Sequence, residues 1–408
     1  MLIAIFLTLI FLYSLVSRRL ERTVFTAPIL FTAAGMGVLL FLPELRNRQG
    51  SLEIFLRVAE VGLMLLLFTD ASRIDLRMLT SIRALPARLL STGLLLTLLL
   101  GTLAAGVVFR QLSVWEAGIL AAILAPTDAG LGQIIVNSPH VPMKIRQALN
   151  VEAGLNDGLS VPFLLFFIAL ASSATEAQDI ALSRLVLEQL GYGVAVGILI
   201  GLAGGWTLGF ARRRECMADP FVQLGVVALP LLCGLASEAA AASMFIAAFV
   251  AGLAAQIGFK EVGKHSVEFA EGWGQLLNLT VFFLFGLLVA RAWKDFSTSH
   301  LLYAILSLTV VRMVPVAVAL IGTRVSRATV LFMGWFGPRG LASIVLGLVY
   351  LEHAHPQPSR ATITLAVMVT VLLSILAHGL SALPGIRLYA RSLAALDADA
   401  PEHRETPA

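Results

Sequence analysis

The sequence predicts an all-α polytopic membrane protein of about thirteen transmembrane helices, built as inverted repeats with two interrupted crossing helices, spans 5 and 12. Three observations predict this fold class. Of the 408 residues, 58% are hydrophobic and only 13% are charged, whereas about a quarter of the residues of an ordinary soluble domain are charged. Long apolar runs recur along the whole chain, and two of these runs are interrupted by proline and glycine.

Each apolar run is long enough to cross roughly 30 Å of hydrocarbon at about 1.5 Å per helical residue. An odd number of spans places the termini on opposite sides, and most Lys and Arg residues then fall in the loops of one side. The positive-inside bias therefore predicts an external N-terminus and a cytoplasmic C-terminus in the cell (inner) membrane. The runs lie near residues 1–17, 23–42, 52–70, 87–109, 115–136, 143–172, 185–210, 220–236, 240–258, 276–293, 300–322, 328–351 and 361–383.

Several function classes are excluded by composition. The net charge of +4 comes from residues in short loops rather than from a basic patch, so membrane lipid is the expected partner and nucleic acid is not. The two cysteines have neither disulfide nor metal-ligand spacing. Because the sequence contains no nucleophile motif or phosphate-binding loop, we expect neither an enzyme nor a resident cofactor.

The interruptions of spans 5 and 12 read "LAPTDAGLGQ" (124–133) and "GWFGPRGLAS" (334–343). Pro126 and Pro338 each leave a backbone carbonyl without its helical hydrogen bond, which is costly in lipid unless a polar group fills the gap. The two spans are seven apart, an odd number, so they run in opposite directions through the bilayer. Interrupted helices at matching positions of inverted repeats indicate a transporter's ion site at the membrane midplane.

A second polar stretch, "NVEAGLNDG" (150–158), lies near the middle of span 6. At 100° per residue, Glu152 and Asn156 share one helix face, whereas Asp157 points about 140° away from Glu152. Buried charges require partners, so we expect Glu152 to pair with Arg312 of span 11. Asp157 is then left to titrate.

The polar groups of these segments suit a hard, monovalent cation. Asp157, Thr127 and the carbonyls freed by proline can supply several oxygen ligands, and no His/Cys cluster favours a transition metal. We therefore predict that Asp157 and Thr127 bind a transported alkali cation.

These motifs resemble those of the NhaP-type sodium/proton antiporters, members of the first cation/proton antiporter family and relatives of the animal sodium/proton exchangers. "NVEAGLNDG" resembles the Asn-Asp ion-site helix of that family, "APTDAG" at 125 its Thr-Asp crossing helix, and "GPRG" at 337 the partner crossing helix. The resemblance covers nearly the whole chain. Ala153 departs from it, because many relatives have serine there.

The resemblance implies a role for each motif residue. Asp157 would bind the ion or proton, supported by Asn156 and Thr127, while Asp128 would complement the broken-helix ends. Glu152 would pair with Arg312, and Arg339 would hold the partner break.

The resemblance also implies a homodimer and a division of the chain. The expected parts are interface helices 1–3 (1–70), core helices 4–6 (71–173), linker helix 7 (174–211), interface helices 8–10 (212–293), core helices 11–13 (294–390) and a short disordered cytoplasmic tail (391–408).

The predicted function is secondary-active exchange of Na⁺ or Li⁺ for H⁺ at a single buried carboxylate, with a role in pH homeostasis. Asn156 in place of a second acid predicts electroneutral, one-for-one exchange. Ala153 removes a possible hydroxyl ligand, so a potassium/proton antiporter of the same fold is the alternative. A cation channel is a further alternative, disfavoured because the charges lie at one depth rather than along a pore.

Overall fold

The structure is a computed structural model of the chain, and every regular element that it describes is helical. It describes residues 2–20, 23–41, 51–72, 85–128, 131–136, 138–172, 191–240, 242–263, 275–353, 358–396 and 402. The predicted linker helix (174–211) therefore begins outside the described residues.

The helices are numbered here in chain order. They are α1 (Leu2–Leu20), α2 (Ala27–Phe41), α3 (Ser51–Ser72), α4 (Leu85–Val108), α5 (Val114–Ile123), α6 (Gln133–Val136), α7 (Met143–Ser172), α8 (Gly193–Arg213), α9 (Asp219–Ala239), α10 (Met244–Gly258), α11 (Gln275–Ala292), α12 (Thr298–Ala319), α13 (Arg327–Trp335), α14 (Leu341–His353) and α15 (Pro358–Ala394).

Many of these helices suit a lipid environment. Eight are long and apolar enough to cross a membrane, and four apolar helices are shorter. On α4, for example, Leu95, Leu99, Leu103 and Val107 are all exposed at a spacing of four residues, which aligns them on one outward face. The multi-pass helical fold is thereby confirmed, while the number of thirteen spans stays a prediction.

The described helices pack in two groups. One group consists of α4, α5, α7 and α12 to α15, and the other of α2, α3 and α8 to α11. Helix α7 lies at the boundary, because it contacts α5 in the first group and α3 and α10 in the second. The helix with the predicted ion site therefore faces both groups.

Predicted spans 5 and 12 each contain a non-helical stretch. The chain leaves α5 after Ile123 and is non-helical from Leu124 to Asp128, and it leaves α13 after Trp335 and is non-helical from Phe336 to Gly340. The interruptions coincide with the two proline-containing stretches, as the missing donors require.

The last helix extends past residue 391, where the predicted tail begins. Helix α15 continues through Ala394 rather than ending before 391, although residues 397–401 and 403–408 lie outside the described part. The Glu402 carboxylate accepts hydrogen bonds from Ser326 N (2.6 Å) and Thr329 Oγ1 (2.7 Å) at the start of α13. Burial alone would raise the pKa of Glu402, but these hydrogen bonds lower it overall.

Helix α8 packs closely on α10 through a row of glycines. A Cβ added to Gly201 would lie 2.6 Å from the carbonyl oxygen of Ala251 and 2.8 Å from the Cβ of Ala254, closer than van der Waals contact permits. Small residues let helix backbones approach in this way, which is how membrane helices gain packing energy without a hydrophobic driving force.

We expect Gly201→Ala to destabilise the protein by about 1–3 kcal/mol, because the added methyl must displace the α10 backbone. The measurement is the thermal unfolding midpoint of the detergent-purified protein. Gly106→Ala on α4 is the matched control, because a Cβ at Gly106 meets nothing within 4 Å. Equal midpoints for the two variants would contradict the close α8–α10 packing.

Candidate ion-binding site

The start of the first broken helix is defined by a capping box. Ser113 accepts a hydrogen bond from Glu116 N, and the Glu116 carboxylate accepts one from Ser113 N at 2.8 Å, so α5 begins at Val114. Its far end is buried and lacks such a cap within its own sequence, because Pro126 cannot continue the helix. Groups from elsewhere in the fold must therefore satisfy it.

Arg339 supplies that satisfaction for the carbonyl end of α5. Its side chain is fully buried, and Nη1 donates to the carbonyl oxygens of Ala125 (2.8 Å) and Pro126 (3.0 Å). A cation near the C-terminal end of a helix also interacts favourably with the helix dipole. The charge of the second break thus stabilises the first break.

Asp128 does the reverse for the second break. Its backbone N–H donates to the carbonyl of Pro338 (2.7 Å), and its Oδ2 accepts from Leu341 N (2.7 Å), the first residue of α14. A carboxylate at a helix N-terminus binds the free N–H groups and the positive end of the dipole. Each interrupted helix therefore stabilises the broken end of the other with one charged side chain.

The glycines of "GPRG" make this crossing possible. A Cβ at Gly340 would lie 2.7 Å from the Asp128 Cγ, and a Cβ at Gly337 would lie 2.6 Å from the Arg312 Cζ. Any larger residue would push these two charged side chains away from their positions. Close approach, rather than an unusual backbone angle, therefore explains both glycines.

Glu152 and Arg312 form a buried, bidentate salt bridge. The Arg312 Nη1 and Nη2 lie 2.5 Å and 2.9 Å from the two carboxylate oxygens of Glu152, the geometry in which guanidinium and carboxylate interact most strongly. This is the pair expected from the sequence, and it joins α7 to α12. The Glu152 charge is therefore already neutralised.

Asn156 connects α7 to the first break. Its Nδ2 donates to Thr127 Oγ1 (2.7 Å), and its Oδ1 accepts from Thr127 N (3.2 Å). Both side chains are buried. This reciprocal pair holds the broken segment directly against the residue that precedes Asp157.

Asp157 follows Asn156 in α7 and is 5% exposed. Among the residues that the structure describes, its Oδ1 is buried and has no hydrogen-bond partner. The structure thus brings Asp157, Asn156, Thr127 and Asp128 together between α7 and the two breaks.

Sequence reasoning missed one acid near this cluster. Asp70, near the end of α3, lies against Gly154, with its Cβ 3.4 Å from the position of an added glycine Cβ. The carboxylates of Asp70 and Asp128 are both within electrostatic range of Asp157. An aspartate at the end of an apolar run carries no local sign of this contact, because only the packing of α3 on α7 brings it there.

A small cavity of about 20 Å³ adjoins the first break and is lined by Thr127, Asp128, Glu152 and Ala153, among others. A space of this size holds about one water-sized particle. Ala153 contributes only a methyl group to its wall, so position 153 supplies no hydroxyl to this cavity.

The fold and the site define a class of protein: a multi-pass helical membrane protein with two crossed, interrupted helices around a buried carboxylate. The chain belongs to the sodium/hydrogen exchanger transmembrane family, whose model matches residues 4–384. The resemblance inferred from the motifs is thereby confirmed.

Solved structures with a similar fold are known. The sodium proton antiporter MjNhaP1 from Methanocaldococcus jannaschii at pH 8 matches with a TM-score of 0.75, 21% identity, and coverage of 92% of this chain and 97% of that chain. At this identity the likeness shows the fold.

Curated relatives fall into two named groups. A probable Na⁺/H⁺ antiporter of Schizosaccharomyces pombe is 25% identical over 59% of this chain and 34% of its own length. The K⁺/H⁺ antiporter NhaP2 of Shewanella baltica is 26% identical over 67% of this chain and 47% of its own length. The chain thus spans about a third to a half of the length of these relatives.

We expect Glu152→Gln and Arg312→Leu each to destabilise the protein by about 3–5 kcal/mol, because each change leaves one buried charge without its partner. The double variant should lose much less than the sum of the two, as measured by the midpoint of thermal or denaturant unfolding. Arg110→Leu is the control, because Arg110 is exposed between α4 and α5, and surface substitutions usually change stability by about 0.5 kcal/mol or less. Strictly additive losses would contradict the pairing.

Proposed function

We propose that the protein is a cation/proton antiporter in which Asp157 alternately holds a proton and a monovalent cation. The observation that carries the proposal is the unpartnered, buried Oδ1 of Asp157. Among the described residues, the nearby acids of Asp128 and Glu152 are occupied by N–H groups and by Arg312. A buried carboxylate without a partner is costly, so Asp157 is the group that gains most from binding H⁺ or a cation.

Competition at one carboxylate produces exchange rather than co-transport. If a proton and a cation cannot occupy Asp157 together, each binding event on one side of the membrane requires release of the other ion. The site stays near the midplane while one helix group moves against the other, as packed repeats of transporters do. The position of α7 between the two groups supports this movement.

The cation is proposed to be Na⁺ or Li⁺, held by Asp157, Thr127 and carbonyl oxygens of the first break. Asn156 supports the site by holding Thr127 in place. K⁺ is the second candidate, because the methyl of Ala153 faces the cavity beside Thr127 and supplies no ligand for a small cation. Relatives named as Na⁺/H⁺ and as K⁺/H⁺ antiporters both match the chain, in keeping with this choice.

We further propose a homodimer in the cell (inner) membrane, with the N-terminus outside and a role in pH homeostasis. Helix α1 supports the dimer: none of its residues is buried, and apolar side chains such as Leu7, Phe11 and Leu15 are exposed on it. A second copy would cover part of this apolar surface, and lipid would cover the rest.

Asp157→Asn should abolish exchange while the protein folds and inserts normally, because an amide neither releases a proton nor neutralises a cation. Proton flux in reconstituted vesicles, started in turn with Na⁺, Li⁺, K⁺ or choline, measures the loss and also ranks the cations. Asp295→Asn, which changes an exposed carboxylate after α11, should keep the wild-type flux. Retained flux in the Asp157 variant would remove this residue from the mechanism.

Exchange at a single carboxylate is expected to be electroneutral. One net charge moved across about 100 mV changes the driving force by about 2.3 kcal/mol, or roughly fiftyfold in the final ion gradient. Vesicles clamped at zero and at negative potential should therefore reach the same gradient. A potential-dependent gradient would overturn the one-for-one stoichiometry, and current without proton counterflow would indicate a channel.

A further inference from the structure

A buried histidine lies beside the second break, where the sequence offered no reason to expect one. His378 lies in α15 and is 3% exposed. Its Nε2 is 2.9 Å from the carbonyl oxygen of Trp335, the last residue of α13, and its ring lies 5.2 Å from that of Trp335. The imidazole therefore contacts the carbonyl end of the interrupted helix, where the Trp335 carbonyl oxygen also accepts from Gly337 N.

The other ring nitrogen has two partners on one residue. Nδ1 of His378 lies 3.1 Å from Ser374 Oγ and 2.9 Å from the Ser374 carbonyl oxygen. A neutral ring with its proton on Nε2 can accept from the serine hydroxyl at Nδ1, whereas a charged ring can donate from Nδ1 to the carbonyl. The site thus provides a hydrogen-bond partner at Nδ1 for both protonation states.

Ser374 transmits this choice to the second break. Its Oγ accepts a hydrogen bond from the backbone N–H of Arg339 at 2.6 Å. The Arg339 side chain in turn holds Ala125 and Pro126, which directly precede Thr127 of the proposed ion site. A continuous chain of contacts therefore joins His378 to the ion site without any contact between them.

The charged groups near the His378 ring affect its neutral and its protonated form differently. The charged groups within electrostatic range of His378 are Arg339 from the break and Arg312 from α12. Among the described residues, α2 and α6 contribute no ionisable side chain where they pack on α15. Glu116 of α5 lies at the far end of that helix, and Arg327 of α13 lies at the end opposite Trp335.

A neutral ring adds no charge beside these two arginines. Protonation of His378 adds a third positive charge next to the fully buried Arg339, where like charges repel strongly for lack of water.

We propose that His378 is a proton-responsive positioning residue, whose neutral form keeps the crossed breaks in the geometry that transport requires and whose protonation slows transport at acid pH. The inference rests on the proposed antiport function and adds a second protonation event, separate from the exchange at Asp157. It acts through Ser374 and Arg339, not on the transported ion.

The two protonation events differ in their kinetic signature. Proton competition at Asp157 raises the KM for the cation at low pH and is overcome by excess cation. Protonation of His378 lowers the maximal rate itself, which excess cation cannot restore. Initial rates at saturating cation, measured from about pH 8 down to about pH 4, separate the two.

The test compares wild type with His378→Gln in proteoliposomes. We expect the maximal rate of wild type to fall by about fivefold or more toward acid pH, and the glutamine variant, whose amide can donate and accept but not titrate, to lose this fall while its KM still rises. His300→Gln is the matched control, because His300 caps α12 far from the breaks and glutamine also suits that capping box. This fall of the maximal rate is called the acid limb. The proposal would be overturned if the acid limb were unchanged in His378→Gln, or if it were lost in His300→Gln as well.

Ser374 provides a second test should His378→Gln fail to fold. Ser374→Ala removes the donor that favours the neutral ring and leaves the carbonyl that favours the charged one, so the acid limb should move to higher pH. Ser374→Thr keeps the hydroxyl and should restore the wild-type limb. An unmoved limb in Ser374→Ala contradicts the proposal, whereas absence of cation-driven flux in wild type would instead refute the antiport function.

Discussion

The structure depends on a crossing of two interrupted helices, in which each break provides one charged side chain that stabilises the other. Asp128 of the first break binds the N-terminus of α14, and Arg339 of the second break binds the carbonyls that follow α5. In lipid, an interrupted helix leaves backbone groups that water cannot satisfy. Each break is stable only because the other is present, so the crossing is a single cooperative element rather than two separate kinks.

The crossing also determines which of the neighbouring charged side chains have partners. Arg312 lies next to Gly337 and is neutralised by Glu152, whereas Arg339 and Asp128 bind backbone carbonyl and N–H groups. Asp157 is left without such a pair among the described residues. A protein that buries several charges at moderate cost must pair nearly all of them, and the one left over is the group available for chemistry. The proposed transport site is thus the buried carboxylate whose Oδ1 has no partner among the described residues.

Glycine and polar side chains transmit the position of the crossing to its surroundings. The two glycines of "GPRG" admit Asp128 and Arg312, Asn156 ties the first break to α7, and Ser374 with His378 ties the second break to α15. Helix α7 in turn contacts the second helix group. A change in protonation at one of these positions therefore acts on a connected set of hydrogen bonds, which is the physical basis for coupling proton binding to movement of the helices.

The sequence by itself determined the membrane class, the two interrupted spans and the isolation of Asp157 from Glu152. These features depend on local properties: the length of apolar runs, the missing donor of proline and the 100° step of a helix. The partner of Glu152 was also predictable, because a buried charge needs an opposite one and Arg312 was available. Only the tertiary structure placed Asp70 near the site, Asn156 on Thr127 and His378 on Trp335. Those contacts join residues far apart in the chain, and their distances depend on how whole helices pack, which no local pattern encodes.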